Sequence, residues 1–389
     1  MPTTHRLDIL ILYNGHTACS AGSVQSETNL PFPKKSLNNP CNAAYSYFLD
    51  YAGRLGLSAG LSSSSDIIGS GLCSSYWIYK NQKWQKIRNH CQSDVIFDKF
   101  SPTQTRDIAQ QKLFFSKSSV KMYNTENVTN TFFDKANTYQ NLLAHAIPTL
   151  AINTSSKLEI SSACATITNL TNTLTNQGDF NSDFILKDRF GAGGWHVYKI
   201  DSKNPFTQIQ KIMKKNPKTS FILQPFALFD RGFVYDNAAV PTDIRLIYLG
   251  GQLFHSYLRF PKSGDFRCNE HQGGSSVYIK ESEIPPNIRL KADLIADSLK
   301  SKALVALDFI VTNSGNPYLI EGNTGPGLSW DQSNKKEVFK GKKLIRGIVD
   351  QLAVTRTKQK VDICVSIVKI DRYPETLKSS ISVSSTALI

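Results

Sequence analysis

The sequence predicts an α/β (α+β) protein, with a small open α/β domain first and a region dominated by antiparallel strands after it. Three observations point there. The first hundred residues alternate strand, helix and strand patterns, as an open sheet requires. From residue 183 onward, short apolar runs come in pairs joined by Gly-rich turns such as Gly250-Gly251. No apolar run approaches the ~18 residues needed to cross a membrane as a helix.

Taken in order, I-L-I-L-Y within residues 7–13 reads as a buried first strand. Asp8 interrupts the opening segment, which lacks the basic and long apolar parts of a secretion signal. Asn42–Leu57 is patterned as an amphipathic helix ended by Gly56, and residues 62–75 read as a Ser/Gly-rich loop. Y-W-I-Y-K-N-Q-K-W forms a hairpin around Asn81, and a strand follows at 94–98. The next helix is expected over Asp134–Ala146, capped by Thr131 or Asp134 and stopped by Ile147-Pro148. Another is expected near 160–177. Strands are predicted at 183–188, 195–200, 221–225, 243–249, 252–259 and 275–279. A helix at 287–301, strands at 304–311 and 317–321 and a last helix at 336–353 complete the order. Val361–Ile370 alternates like an edge strand, and 374–389 reads as disordered.

The 389 residues suffice for two or three structural units, and 40% hydrophobic with 20% charged residues is ordinary for a globular protein. Seven cysteines, odd in number and without a C-x-x-C pair, suggest neither a disulfide framework nor a zinc site, and fit a reducing cytoplasm. The net charge of +14 is a real bias. Its lysines fall in short clusters at Lys34–Lys35, Lys214–Lys215, Lys335–Lys336 and Lys340–Lys343, with no long basic block interleaved with aromatics. Nucleic acid is therefore not expected as the main partner. A field that attracts anionic substrates is the milder explanation. No membrane partner is expected, and a homo-oligomer is compatible with the sequence.

The acidic pair carries the first chemistry. Asp308 lies inside L-V-A-L-D-F-I-V, where a carboxylate is costly unless paired or bound to metal. Glu321 ends the next strand, and Asn323 shares its face. The turn T-N-S-G-N-P between them makes a hairpin that brings Asp308 near Glu321. Two carboxylates and an amide oxygen suit Mg2+. The bland alternative is one buried acid paired to an Arg and one surface acid. The basic residues come next. Lys187 leaves a strand just before Gly191-Ala192-Gly193-Gly194, so its ammonium and the loop amides can meet a phosphate. Lys135, taken alone, reads as a solvated helix lysine. Gln224-Pro225-Phe226 ends a strand, a position suited to an adenine-binding hinge. Asp243-Ile244-Arg245, Arg259, and Arg267 with Asn269 in G-D-F-R-C-N-E-H-Q-G-G form a basic constellation that could neutralise a transferring phosphoryl group. A salt-bridged sheet surface is the alternative for Asp243 and Arg245.

These pieces stand in one order: D-K, Lys187 with its glycine loop, Q-P-F, D-I-R, G-D-F-R-C-N-E-H-Q-G-G, D-F, and E-G-N-T-G-P-G. That order resembles the ATP-grasp superfamily, in the branch of bacterial glutathione synthetases and ribosomal-protein glutamate ligases, over about residues 130–353. The E-G-N segment departs mildly from the branch's E-V-N. The resemblance implies an N-terminal α/β domain (1–120), a central subdomain with the glycine loop (121–226), a C-terminal subdomain with the metal site (227–355) and a tail (356–389), with ATP between two antiparallel sheets. It implies that Lys135, Lys187, Gly191, Gly193, Gly194, Gln224, Phe226 and Arg259 bind ATP. Asp308, Glu321 and Asn323 would hold two Mg2+, or Mn2+ in their place. Arg245, Arg267 and Asn269 would serve the phosphoryl transfer. The implied activity is ADP-forming ligation of a carboxylate to an amine through an acyl phosphate. A kinase on the same fold and a non-catalytic nucleotide-binding module are the alternatives.

Overall fold

The computed structural model describes residues 3–23, 29–102, 105–174, 176–299 and 303–371. The expected disorder of 374–389 lies outside the described residues. The chain forms two compact units, Met1–Met122 with Leu328–Ile389, and Tyr123–Gly327. Boundaries were expected at 120, 226 and 355; the two units divide after Met122 and Gly327.

The first unit is built on a six-stranded sheet. In spatial order its strands are Lys121–Met122, Val95–Lys99, Ile9–Tyr13, Ala59–Ser63, Tyr76–Lys80 and Lys83–Ile87. The first four run parallel, and the last two add antiparallel. Ile9, Leu10, Ile11 and Leu12 are all fully buried, as a parallel strand covered on both faces demands. The helix Cys41–Arg54 crosses from this strand to Ala59–Ser63. It ends in a Schellman motif, with Leu57 N–H bonded to the Ala52 carbonyl and Gly56 N–H to that of Gly53. The hairpin at Asn81-Gln82 turns through positive φ at both residues, as expected of a two-residue turn.

Two expectations fail here. Residues 62–75 are not a loop. They hold the end of Ala59–Ser63, a 3-10 turn at Ser64–Asp66, and the strands Ile67–Gly69 and Leu72–Cys73, which join a second sheet with Thr4–Arg6 and His90–Gln92. Serine-rich composition suggests solvent, but Ser20, Ser63 and Ser75 all donate to the buried Asp66, at 2.5, 2.7 and 2.7 Å. The polar groups satisfy one another. Nor is Val361–Ile370 a strand: one helix runs Lys335–Asp371. Leu344, Ile345, Ile348, Val349 and Leu352 bury one face of it, and no glycine or proline interrupts 348–371. Extending an anchored helix needs no new nucleus, and this outweighs the strand preference of Val and Ile.

The second unit holds two antiparallel sheets. One orders Leu150–Ile152, Phe221–Ala227, Phe180–Asp188 and Val197–Ile200. Its core takes in Ile160, Ile167, Leu186, Ile209 and Leu223, so the helices Lys157–Asn172 and Pro205–Lys215 cover it. The other orders Ser275–Tyr278, Gln252–Phe260, Asp243–Leu249, Leu304–Val311 and Pro317–Asn323. Ile288, Ala292 and Ile295 of the helix Pro286–Ser298 pack into its core. The helix expected over 134–146 spans only Lys135–Asn141, and a separate helix, Glu126–Phe133, precedes it. The break is at Asp134, held extended because its carboxylate caps Ala136 N–H at 2.9 Å and accepts Arg189 at 2.8 and 2.6 Å.

Candidate active site

The second unit holds a cleft of about 120 Å³, lined by residues of both its sheets. Lys187 leaves the strand Phe180–Asp188 at its edge, 8% exposed, and donates to the Ile320 carbonyl at 3.0 Å. Burial brings its pKa down to about 8, with Glu321 opposing the fall. Lys135 is not a solvated helix lysine. It is also 8% exposed, it donates to the Gly191 carbonyl, and its Nζ lies 3.5 Å from Glu321 Oε1. Asp134, clamped by Arg189, starts the short helix that aims Lys135 inward; the sequence showed the cap but not the clamp.

Asp308 is 1% exposed and accepts from two arginines. Arg245 donates to it from Nε and Nη2 at 2.6 Å each, and Arg259 adds a bond at 2.8 Å while holding Asp243 at 2.5 and 2.7 Å. Burial alone would raise the Asp308 pKa; the two guanidiniums outweigh it and hold the carboxyl below the usual carboxylate range. Asp243 and Arg245 are therefore part of a buried network rather than a sheet surface. The bland alternative for Asp308 holds in one half, since it is a buried acid paired to arginine. Glu321 is no surface acid: it stands opposite Asp308 in the hairpin, next to a bulge, and lines the cavity.

The remaining expected residues are placed as follows. Gly191, Gly194, Gln224, Phe226, Arg267 and Asn269 line the cavity. Gln224 donates to Thr149 Oγ1 at 2.8 Å. Lys199 Nζ stands 4.1 Å over the Phe226 ring, and Phe266 meets that ring edge-on at 5.9 Å. Arg267 pairs with Asp265 at 2.8 Å and reaches the Gly194 carbonyl at 3.4 Å. Gly193 sits within the loop. Arg245 and Asn323 are not among the lining residues; Arg245 acts on Asp308, and Asn323 Oδ1 accepts from Gly325 N–H at 2.8 Å. Thr149, Asp265, Trp195 and Gln272 are further neighbours the sequence did not single out. Asp265 and Gln272, both inside the G-D-F-R-C-N-E-H-Q-G-G motif, carried a local signal.

The charge balance of the lining limits what can enter. Lys135, Lys187, Arg259 and Arg267 face Asp188, Asp243, Asp308 and Glu321, four cations against four anions. A bare polyanion gains little from such a wall, whereas one arriving with its own divalent cation suits it. Among the described residues, no three His, Cys, Asp or Glu side chains gather as a metal centre. Two members of the oxygen set expected for Mg2+, Glu321 and Asp308, fit its chemistry, while Asn323 does not line the cavity. Glu321 is half-buried and opens on the cavity, and Asp308 Oδ1 accepts one hydrogen bond, so it keeps a lone pair.

Comparison with known proteins agrees with this architecture. Residues 133–348, more than half of the chain, match the model of the RimK-like ATP-grasp domain. A probable alpha-L-glutamate ligase of Maridesulfovibrio salexigens is 36% identical over 144 residues, 37% of this chain and 43% of the relative. One from Legionella pneumophila is 31% identical over 144 residues, with the same coverage. The matched segment thus spans less than half the length of these relatives. Among solved structures, D-alanyl-alanine synthetase A of Vibrio cholerae superposes with a TM-score of 0.54 at 14% identity, over 91% of this chain and 100% of that one. A RiPP-associated ATP-grasp ligase of Chryseobacterium gregarium gives 0.54 at 11% identity, over 90% and 97%. At such identity these two likenesses speak for the fold.

Proposed function

Because the chain belongs to the RimK-like ATP-grasp family, we propose that it is an ATP-dependent ligase joining a carboxylate to an amine with release of ADP and phosphate. One observation carries this reading. Two buried lysines, Lys135 and Lys187, stand by Glu321 at the wall of a cavity lined in part by the glycine loop. Such a wall offers cations to phosphate oxygens and a carboxylate to their metal.

The substrate carboxylate attacks the γ-phosphate and ADP leaves, giving an acyl phosphate; the amine then attacks its carbonyl and phosphate leaves. Lys135 and Lys187 hold phosphate oxygens. Arg267, kept in place by Asp265, faces the transferring group, and Arg259 with Arg245 fixes Asp308. Asn269 supports the glycine loop, and Phe226 with Gln224 borders the base. Mg2+, held by Glu321, Asp308 and Asn323, would offset charge on the phosphate oxygens. Two such ions, with Mn2+ as a substitute, belong to the same proposal. So does assignment of the cytoplasm, which the scattered cysteines favour, and of a small-molecule or peptide substrate rather than nucleic acid.

The names of the relatives make glutamate the first amine and carboxylate to try. Purified protein with Mg-ATP, glutamate and a panel of peptides should release ADP. In the presence of hydroxylamine it should also yield a hydroxamate of the carboxylate substrate. ADP release with phosphorylation of a hydroxyl and no hydroxamate would make it a kinase instead.

A further inference from the structure

The turn Glu270–Gln272 stands across from the glycine loop, and its last residue touches that loop through an uncharged side chain. Gln272 Nε2 donates to the Gly193 carbonyl at 3.2 Å. Its own backbone is fixed, because Gln272 N–H bonds the Asn269 carbonyl at 2.9 Å. The stem packs as closely as the head group bonds: a Cβ built on Gly194 would lie 2.9 Å from Gln272 Cγ and 2.7 Å from Asn269 Oδ1. Gln272 is not among the residues lining the cavity, whereas Gly194 and Trp195 are.

The planar trans peptide turns this contact into an orientation. The carbonyl of Gly193 and the N–H of Gly194 share one rigid plane and point opposite ways. A donor that holds the carbonyl on the side away from the cavity turns the amide towards the cavity. The next amide is already used, since Trp195 N–H contacts the Ala192 carbonyl at 3.4 Å.

We propose that Gln272 is a positioning residue that clamps the glycine loop over bound nucleotide and aims the Gly194 amide at an anionic oxygen. This rests on the nucleotide reading of the cavity. A neutral hydrogen bond of this kind changes an equilibrium by about two- to tenfold, and the change should fall on nucleotide release.

The test is the release rate of a fluorescent N-methylanthraniloyl-ADP, bound with Mg2+ to the full chain and chased with excess ADP. Gln272→Met, which keeps the stem and loses the donor, should release it about two- to tenfold faster. Gln272→Asn, one methylene too short, should do the same, and Gln272→Arg, which restores donors, should return the rate towards that of the unaltered protein. The urea midpoint should be unchanged in all three. Equal release rates throughout overturn the clamp and leave the nucleotide reading standing. Fast release from Gln272→Arg also overturns it, since packing rather than the donor would then be responsible. An unaltered protein that binds no Mg-ADP overturns the nucleotide reading and the clamp with it.

Discussion

Asp308 and Glu321 face each other across one hairpin, yet they should respond differently to loss of charge. Asp308→Asn leaves Arg245 and Arg259 around a neutral group in a site that is 1% exposed. Breaking a buried pair in this way costs about 3 kcal/mol or more, so the urea midpoint should fall together with activity. Glu321→Gln loses only a 3.5 Å contact to Lys135 on a half-buried chain. It should cost about 1 kcal/mol or less and still abolish ADP release. Equal stability losses would show that both acids are structural. Lys187 supplies a pH test. Its ammonium is intact below about 8 and lost above it, because burial lowers the folded value from the ordinary 10.5. The value of kcat/KM for ATP should therefore fall as pH rises through about 8, and Lys187→Arg should remove that limb, since a guanidinium does not titrate there. At this scale the sequence was readable where chemistry clashed with surroundings. A carboxylate in L-V-A-L-D-F-I-V demanded a partner, but nothing in it told a metal from Arg245 and Arg259, which arrive from other strands.

Among the elements, the glycine loop separates two kinds of glycine. Gly194 combines φ of +74° with a Cβ position blocked by Asn269 and Gln272. Gly251 has φ of +80° and open space around it. Gly251→Ala should therefore cost about 1 kcal/mol of stability and leave the KM for ATP alone. Gly194→Ala should raise that KM by about tenfold or more, because the facing turn or the loop must move. Steady-state kinetics beside urea melts tell the two apart. Elements were legible where local pattern and burial agreed, as at Asp243–Leu249 and Leu304–Val311, whose bounds match expectation. They failed where polar residues satisfied one another out of water, as around Asp66. They failed again around Asp134, whose cap was legible: the helix Glu126–Phe133 before it and the early end of the next at Asn141 were not.

At the scale of the whole molecule, the charge of +14 does not reside in the cavity, whose lining balances four cations with four anions. The metal rather than the net charge should then govern nucleotide affinity. The chain path points to the simplest preparation for that measurement. The second unit is one uninterrupted stretch, Tyr123–Gly327, and it contains every lining residue of the cavity. Its two ends are tied together: Asn124 Nδ2 donates to the Thr324 carbonyl at 2.8 Å and to the Leu304 carbonyl at 3.0 Å. A segment whose ends meet, and which has its own core of Ile244, Leu246, Leu258, Ile288 and Leu307, meets the conditions for independent folding. Residues 123–327 expressed alone should melt cooperatively, and Mg-ADP should raise the midpoint while ADP with EDTA should not. By mass action, ligand at about 100 times its Kd adds about 2.7 kcal/mol, which calorimetry resolves. An unfolded fragment would show that the core needs the rest of the chain. A folded fragment stabilised equally by ADP with and without Mg2+ would remove the metal from Asp308, Glu321 and Asn323.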